Sequence, residues 1–180
     1  KIDAEMGAGK ANEALASVLL RTLVIPKAQA AEIADFDSLE KEIAANYPEV
    51  DMSDMLRQFK PQHYYQKQNW PKFKDAVNAL ILSTPNTVSA NSLNSFAWAI
   101  FENCADVACI KAALDWSKTA VEKEENAAFY DTYANLLHKA GDQKNAVLWA
   151  EKALAIAEAS DKETYQTVLE KIKAGSPTWE

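Results

Sequence analysis

Tyr133-Ala134-Asn135-Leu136-Leu137-His138-Lys139-Ala140-Gly141-Asp142, followed by Ala146, Trp149, Ala150 and Ala153, is the stretch that decides the fold. Apolar and small residues recur at helical spacing on both sides of Gly141-Asp142, so the segment reads as two helices joined by a tight turn. Gly141 suits the left-handed position that ends a helix, where a Cβ would be strained. The pattern also occurs upstream. Trp116 stands 33 residues before Trp149, and Ala113 with Ala146 and Ala120 with Ala153 keep that spacing. A two-helix unit at such a period buries its apolar face only by stacking on the next unit.

Working outward, the same periodicity and punctuation predict further helices. A first helix carries Ala11, Ala14, Leu15, Val18, Leu19, Thr22 and Leu23 on one face and is closed by Pro26. A second runs from about Asp37 to Asn46, with Phe36 outside an Asp37 cap, Leu39 and Ile43 inward, and Tyr47-Pro48 as its stop. A third spans about Ser53 to Gln68 and is kinked or split by Pro61. Trp70-Pro71 starts a fourth, with Phe73, Val77, Leu80 and Ile81 as its buried stripe and Pro85 as its end. From Ser89 the pattern is regular. A helix over about Ser92 to Asn103 points Phe96, Ala97 and Ile100 inward, and one after Asp106 points Ala113, Trp116, Ala120 and Val121 inward. Tyr130, Tyr133, Ala134 and Leu137, then Ala146, Trp149, Ala150 and Ala153, repeat the pair. A last helix, about Asp161 to Ala174, has Tyr165, Val168, Leu169 and Ile172 on one side and Lys, Glu and Gln on the other, which suits a solubilising end cap.

Composition bounds the function classes. The 180 residues are 48% hydrophobic and 25% charged, with four Gly and six Pro, as expected of one helical globular domain. A chain this long buries enough surface to need neither disulfide nor metal for a core. The net charge of -7 disfavours nonspecific attraction to nucleic acid or anionic lipid, and no Lys/Arg run offsets it. Apolar runs such as Ala79 to Leu82 are far shorter than the ~20 residues of a membrane span. The chain opens at Lys1 without an initiator Met or a signal-peptide core, so it reads as a mature product or a piece of a longer protein.

The Tyr133–Asp142 stretch, with Ala146, Trp149 and Lys152-Ala153-Leu154, resembles a tetratricopeptide (TPR) unit: a small residue in the first helix, a Gly-Asp turn, and small residues twice in the second. The preceding unit, from Phe96-Ala97-Trp98 through Trp116 and Ala120, is similar but irregular. Ala97 to Ala134 spans 37 residues while Ala113 to Ala146 spans 33, so four extra residues lie between its helices. The resemblance implies an all-α fold, an α-α superhelix of TPR-like hairpins forming a right-handed solenoid of about nine helices. Residues 1–88 are expected to hold irregular helices with a degenerate repeat, and residues 89–180 two TPR-like units and a cap, in one continuous domain. His63-Tyr64-Tyr65-Gln66-Lys67-Gln68-Asn69-Trp70, Phe73 to Leu82 and Leu93-Asn94-Ser95-Phe96-Ala97-Trp98 resemble the helical region that follows the thioredoxin fold in some bacterial cell-envelope proteins. That likeness implies a thioredoxin domain before Lys1 and a periplasmic or cell-envelope location.

The TPR resemblance also implies a binding face, because first helices line the inner surface of such repeats. It places Ala128, Asp131, Asn135, His138 and Lys139 there, and from the preceding unit Asn91, Asn94, Trp98, Phe101 and Glu102. Trp98 beside Asn94 and Asn135 suits a peptide groove, since an aromatic anchor with amides can grip extended backbone; packing of Trp98 against a neighbouring helix is the alternative. TPR domains that clamp a terminal carboxylate present Lys where this chain has Asn94 and Asp131, so that mode is not implied.

Catalytic motifs are lacking. Cys104 and Cys109 are four residues apart, not two as in thioredoxin-type dithiols. On one continuous helix they would lie ~8 Å apart along the axis, too far for a bridge. A turn between Asn103 and Val107 would permit a structural disulfide, and two half-buried thiols is the other open reading. Neither histidine is near them in sequence, so no zinc set forms. His63 and His138 read as packed or surface imidazoles. Asp35, Asp37, Glu40, Glu42, Glu49, Asp51 and Asp54 read as a solvated acidic face, and Gly7-Ala8-Gly9-Lys10 lacks the spacing of a phosphate loop. No catalytic residue, metal or cofactor is expected. The leading expectation is a non-catalytic interaction module for an unidentified peptide or protein; a scaffold or dimerisation role, with a homo-oligomer open, comes second, and a thiol-disulfide oxidoreductase third.

Overall fold

Side-chain caps start five of the helices in a computed structural model of the protein, which describes residues 9–30, 32–84 and 87–179. Pro85, the expected stop of the fourth helix, lies outside those residues, as do Gly7 and Ala8. The described residues are helical or irregular, with no strand among them: the fold is all-α. The chain divides into two compact units, Lys1–Asn69 and Trp70–Glu180.

The first unit holds α1 (Lys10–Leu19), a π-helical turn (Leu20–Val24), α2 (Ile25–Gln29), α3 (Phe36–Asn46) and α4 (Ser53–Gln66). Pro26 does not close the first helix. It sits in the first turn of α2 after the widened π turn, where its missing N–H costs little. The buried face is also shifted from expectation: Ala16, Leu19 and Val24 are buried, while Leu15 and Val18 are 43% and 55% exposed. Asp35, not Asp37, caps α3, accepting from Ser38 N at 3.3 Å and from Tyr64 Oη at 2.8 Å. Phe36 is therefore the first helical residue and packs inward, its ring edge-on to His63 at 4.9 Å. Pro61 lies buried inside an unbroken α4. That helix ends with Gln68 N on Tyr65 O and Asn69 N on Tyr64 O, which puts Gln68 at φ 53. Gly141 (φ 87) and Gly175 (φ 68) end two later helices with the same bond pair, so Gln68 alone among the three carries a side chain into left-handed backbone.

The second unit comprises α5 (Trp70–Ser83), α6 (Ala90–Asn103), α7 (Val107–Lys123), α8 (Ala127–Lys139), α9 (Gln143–Ile156) and α10 (Lys162–Lys173). Ser89, Asp106, Asn126 and Asp142 cap α6 to α9 by accepting from backbone N–H groups of the first turn. Each of α6 to α9 packs on the next, α9 on α10, and the first helices α6 and α8 also meet. Within this second unit Ala97 with Ala134, Ala113 with Ala146, and Ala120 with Ala153 all have 0% exposure, so each of these paired small residues lies at a closed helix contact. Trp70 and Pro71 open α5, whose Phe73 meets Trp70, Phe96 and Trp116 edge-on at 5.9, 5.9 and 6.3 Å. Trp116 Nε1 donates to Asn78 Oδ1 at 2.9 Å. These contacts are why α5 belongs with the second unit. Trp149 differs from Trp116: it is half-buried between Tyr130 and Tyr133, with Lys152 Nζ 3.8 Å from its ring centroid.

Because Trp116 is buried on all sides, Trp116→Ala should cost about 3–5 kcal/mol, and Ala134→Leu roughly 1–3 by overpacking; thermal unfolding midpoints near wild type would refute both. Gln68→Gly should stabilise by roughly 1 kcal/mol, whereas Gln58→Gly, at an exposed position inside α4, should destabilise by about as much. Paired denaturant titrations reporting the first unit check the opposite signs.

Candidate functional site

The residues expected on the inner face fall on two neighbouring helices but differ in access. On α6, Asn91 is exposed, Asn94 and Trp98 are partly buried, and Phe101 is buried. On α8, Asp131 and Lys139 are partly buried, while Asn135 and His138 are 2% and 8% exposed. The expectation that Asn135 and His138 stand open to a groove therefore needs correction. Asn135 is tied to Asp131 on its own helix, and His138 is reached by distant segments of the chain.

His138 makes two polar contacts, Nδ1 with Gln143 Oε1 at 2.9 Å and Nε2 with Ser176 O at 2.8 Å. Neutral imidazole has one N–H, so it donates to only one of these two oxygens. Gln143 Nε2 donates in turn to Ile172 O. Trp179 lies 5.4 Å from the His138 ring and 6.4 Å from the Phe101 ring, and Trp98 lies 4.9 Å from Phe101. Lys139 Nζ donates to Phe101 O at 2.5 Å and sits 5.5 Å from the Trp179 centroid. Burial holds the Lys139 ammonium below its ordinary pKa, partly offset by Cys104. Gln143, Ser176 and Trp179 were not foreseen. The signal for them was Gly175 before Pro177: one reverses the chain after a helix and the other keeps it from continuing.

Nearer the N-terminal ends of α6 and α8 the face is rich in acceptors. Asn135 Nδ2 donates to Asp131 O and Asp131 Oδ2, both at 3.0 Å. Asn94 Oδ1, Asp131 Oδ1 and Asn135 Oδ1 are buried with no protein donor. Burial pushes the Asp131 carboxyl up to about 7, against a smaller downward pull from Asn135. Tyr165 of α10 is raised first by its own burial and next by Asp131, so hydroxyl and carboxyl lie within electrostatic reach.

Cys104 follows the last residue of α6 and Cys109 lies in the first turn of α7, across the turn that the four extra residues build. Both are buried thiols. Burial, then a hydrogen bond with Cys104, pushes the Cys109 thiol to about 12, which leaves negligible thiolate at neutral pH. The remaining polar candidates have local roles. His63 packs on Phe36 and Tyr64, at 4.9 and 5.1 Å between ring centroids. Lys60 pairs with Asp37 and Glu40 at 3.0 and 2.8 Å. Gly9 is the N-cap of α1. Among the described residues no His, Cys, Asp or Glu cluster could hold a metal ion, and no helix is long and apolar enough to cross a membrane. Compared with known families and curated proteins, the chain matches no family model and no curated sequence.

Asp131 binds a proton in the folded chain at pH values where the unfolded chain has released it. Folding stability should therefore fall as pH rises from about 4 toward 7 and then level off, by a few kcal/mol at about 1.4 per pKa unit. Asp131→Asn should flatten that slope and stabilise the chain at neutral pH. Denaturant midpoints of both chains across this range check it, and parallel curves would refute it.

Proposed function

We propose that the protein is a non-catalytic, TPR-like interaction module, its paired helices stacked as a superhelix whose inner face binds an extended peptide or a partner's exposed segment. The observation that carries this reading is the pairing, on adjacent α6 and α8, of a partly exposed aromatic step, Trp98 on Phe101, with buried oxygens of Asn94 and Asp131 that no protein donor meets. Unmet acceptors cost about 1–3 kcal/mol each. A peptide backbone supplies N–H donors at regular spacing, and an aromatic anchor supplies the apolar area that makes such binding tight. A partner bringing a Lys or Arg side chain to Asp131 would gain further, because ionising that carboxyl is otherwise costly.

From the likeness to helical regions of envelope thioredoxin-like proteins we infer that this module accompanies a thioredoxin-like domain in a longer bacterial envelope protein. In that setting a bond between Cys104 and Cys109 would staple the α6–α7 turn in an oxidising compartment. A thiol near pKa 12 at Cys109 argues for such a structural role over thiol catalysis. A scaffold or dimerisation role is the second reading, favoured by Leu82 and Val107, each 81% exposed.

Selection of peptides from a displayed random library against the full chain tests the first reading. Enriched peptides should lose affinity about tenfold or more with Trp98→Ala and with Asn94→Ala, while helix content stays at the wild-type level. Binding indifferent to both substitutions, or no enrichment, would refute the groove; a concentration-dependent dimer in sedimentation would then support the second reading.

A further inference from the structure

The residues read as an inner face already meet a non-helical segment of the chain itself. After α10, Gly175 at φ 68 donates to Ile172 O at 3.0 Å and Ser176 N to Lys171 O at 2.9 Å, which reverses the backbone. Pro177 follows, unable to donate to a helix. Ser176 O reaches His138 Nε2 at 2.8 Å, and the Trp179 side chain lies against Phe101, His138 and Lys139. Three of the residues expected to contact a partner are thus taken by the chain's own C-terminal segment. The hold is slight. Beyond the two backbone bonds of the turn, one side-chain hydrogen bond and one partly buried aromatic ring secure it, Gly175, Ser176 and Pro177 are exposed, and Thr178 Oγ1 is buried without a partner. The ring also leaves space beside it, a cavity of about 370 Å³ between Ile110, Leu114, Lys139 and Trp179.

We propose that residues 174–179 are a built-in, displaceable occupant of the inner face, and that a partner enters this end of the groove by replacing them with an extended segment carrying its own aromatic side chain. The inference rests on the reading of that face as a binding surface and adds to it both the chemistry of the partner and a means of regulation. Lys139 fits the role: its ammonium lies 5.3 Å from the Phe101 ring and 5.5 Å from the Trp179 ring, so it rewards an aromatic occupant through cation–π attraction. The backbone carbonyl of Ser176 shows where a partner's peptide oxygen would meet His138. A tethered occupant competes at high effective concentration, so a free peptide binds weakly until the tether is displaced.

The probe is a fluorescein-labelled peptide with the sequence of residues 174–179, titrated by anisotropy against three full-length chains: wild type, Trp179→Ala and Gly175→Pro. Trp179→Ala removes the anchor. Gly175→Pro keeps Trp179 but forbids the left-handed turn that aims it, at a site beyond the last helix, so one variant stays informative if the other fails to fold. Both variants should bind the peptide about tenfold or more tighter than wild type, and a peptide with Trp replaced by Ala should bind none of them. Equal affinity for all three chains, or no binding to a variant with wild-type helix content, overturns the proposal. Should library peptides still depend on Trp98 and Asn94 in that case, only the tail inference falls; loss of both kinds of binding removes the groove as well.

Discussion

Close approach of helices at alanine is the constraint on which the second unit depends. Ala97, Ala113, Ala120, Ala134, Ala146 and Ala153 have no exposed surface. A larger side chain at any of them would push two backbones apart, and the interior has no spare volume to absorb the change. Larger residues then fill the space around these contacts. Trp116 closes the gap between α5 and α7 and finds Asn78 for its indole N–H, while Leu137, Leu169 and Ile172 fill the space among α8, α9 and α10.

That packing decides which polar groups become unusual. Asp131 lies on α8 with its carboxyl largely buried, so its charge is poorly solvated and its proton is held to about pH 7. Lys139, at the other end of the same helix, is pressed among Phe101 and Trp179 and binds its proton less firmly than usual. A carboxyl that resists ionising and an ammonium set against aromatic rings give the two ends of the face different preferences. One favours donors and cations, the other favours aromatic side chains. Cys109 illustrates the opposite case: burial with Cys104 makes it inert instead of reactive.

Much of this was legible in the order of residues. Asp106 announces a helix because its side chain accepts from the next turn's N–H groups, and Gly141 announces a stop because φ 87 suits a residue without Cβ. The spacing of the small residues identified the closed contacts. Errors arose where two local signals competed. Asp35 and Asp37 could each cap α3, and the Tyr64 hydroxyl, distant in sequence, favours the first. Pro26 and Pro61 read as breaks, yet a π turn accommodates one and the packed interior of the first unit tolerates the other. The apolar face of α1 was misjudged because periodicity identifies a stripe and not the partner that covers it.

The face proposed for binding marks the division most clearly. Residue order by itself determined that the chain is helical, where its small residues recur and which side chains share one face of α6 and α8, since these follow from periods of 3.6 and about 33 residues. Only the tertiary structure decided which of those side chains remain accessible. His138 is buried where the reversed segment after α10 meets α8, and that reversal brings Ser176 to a residue 38 positions earlier and Trp179 to Phe101, His138 and Lys139. Access depends on what covers a surface, and covering contacts between distant segments leave no periodic trace in the chain.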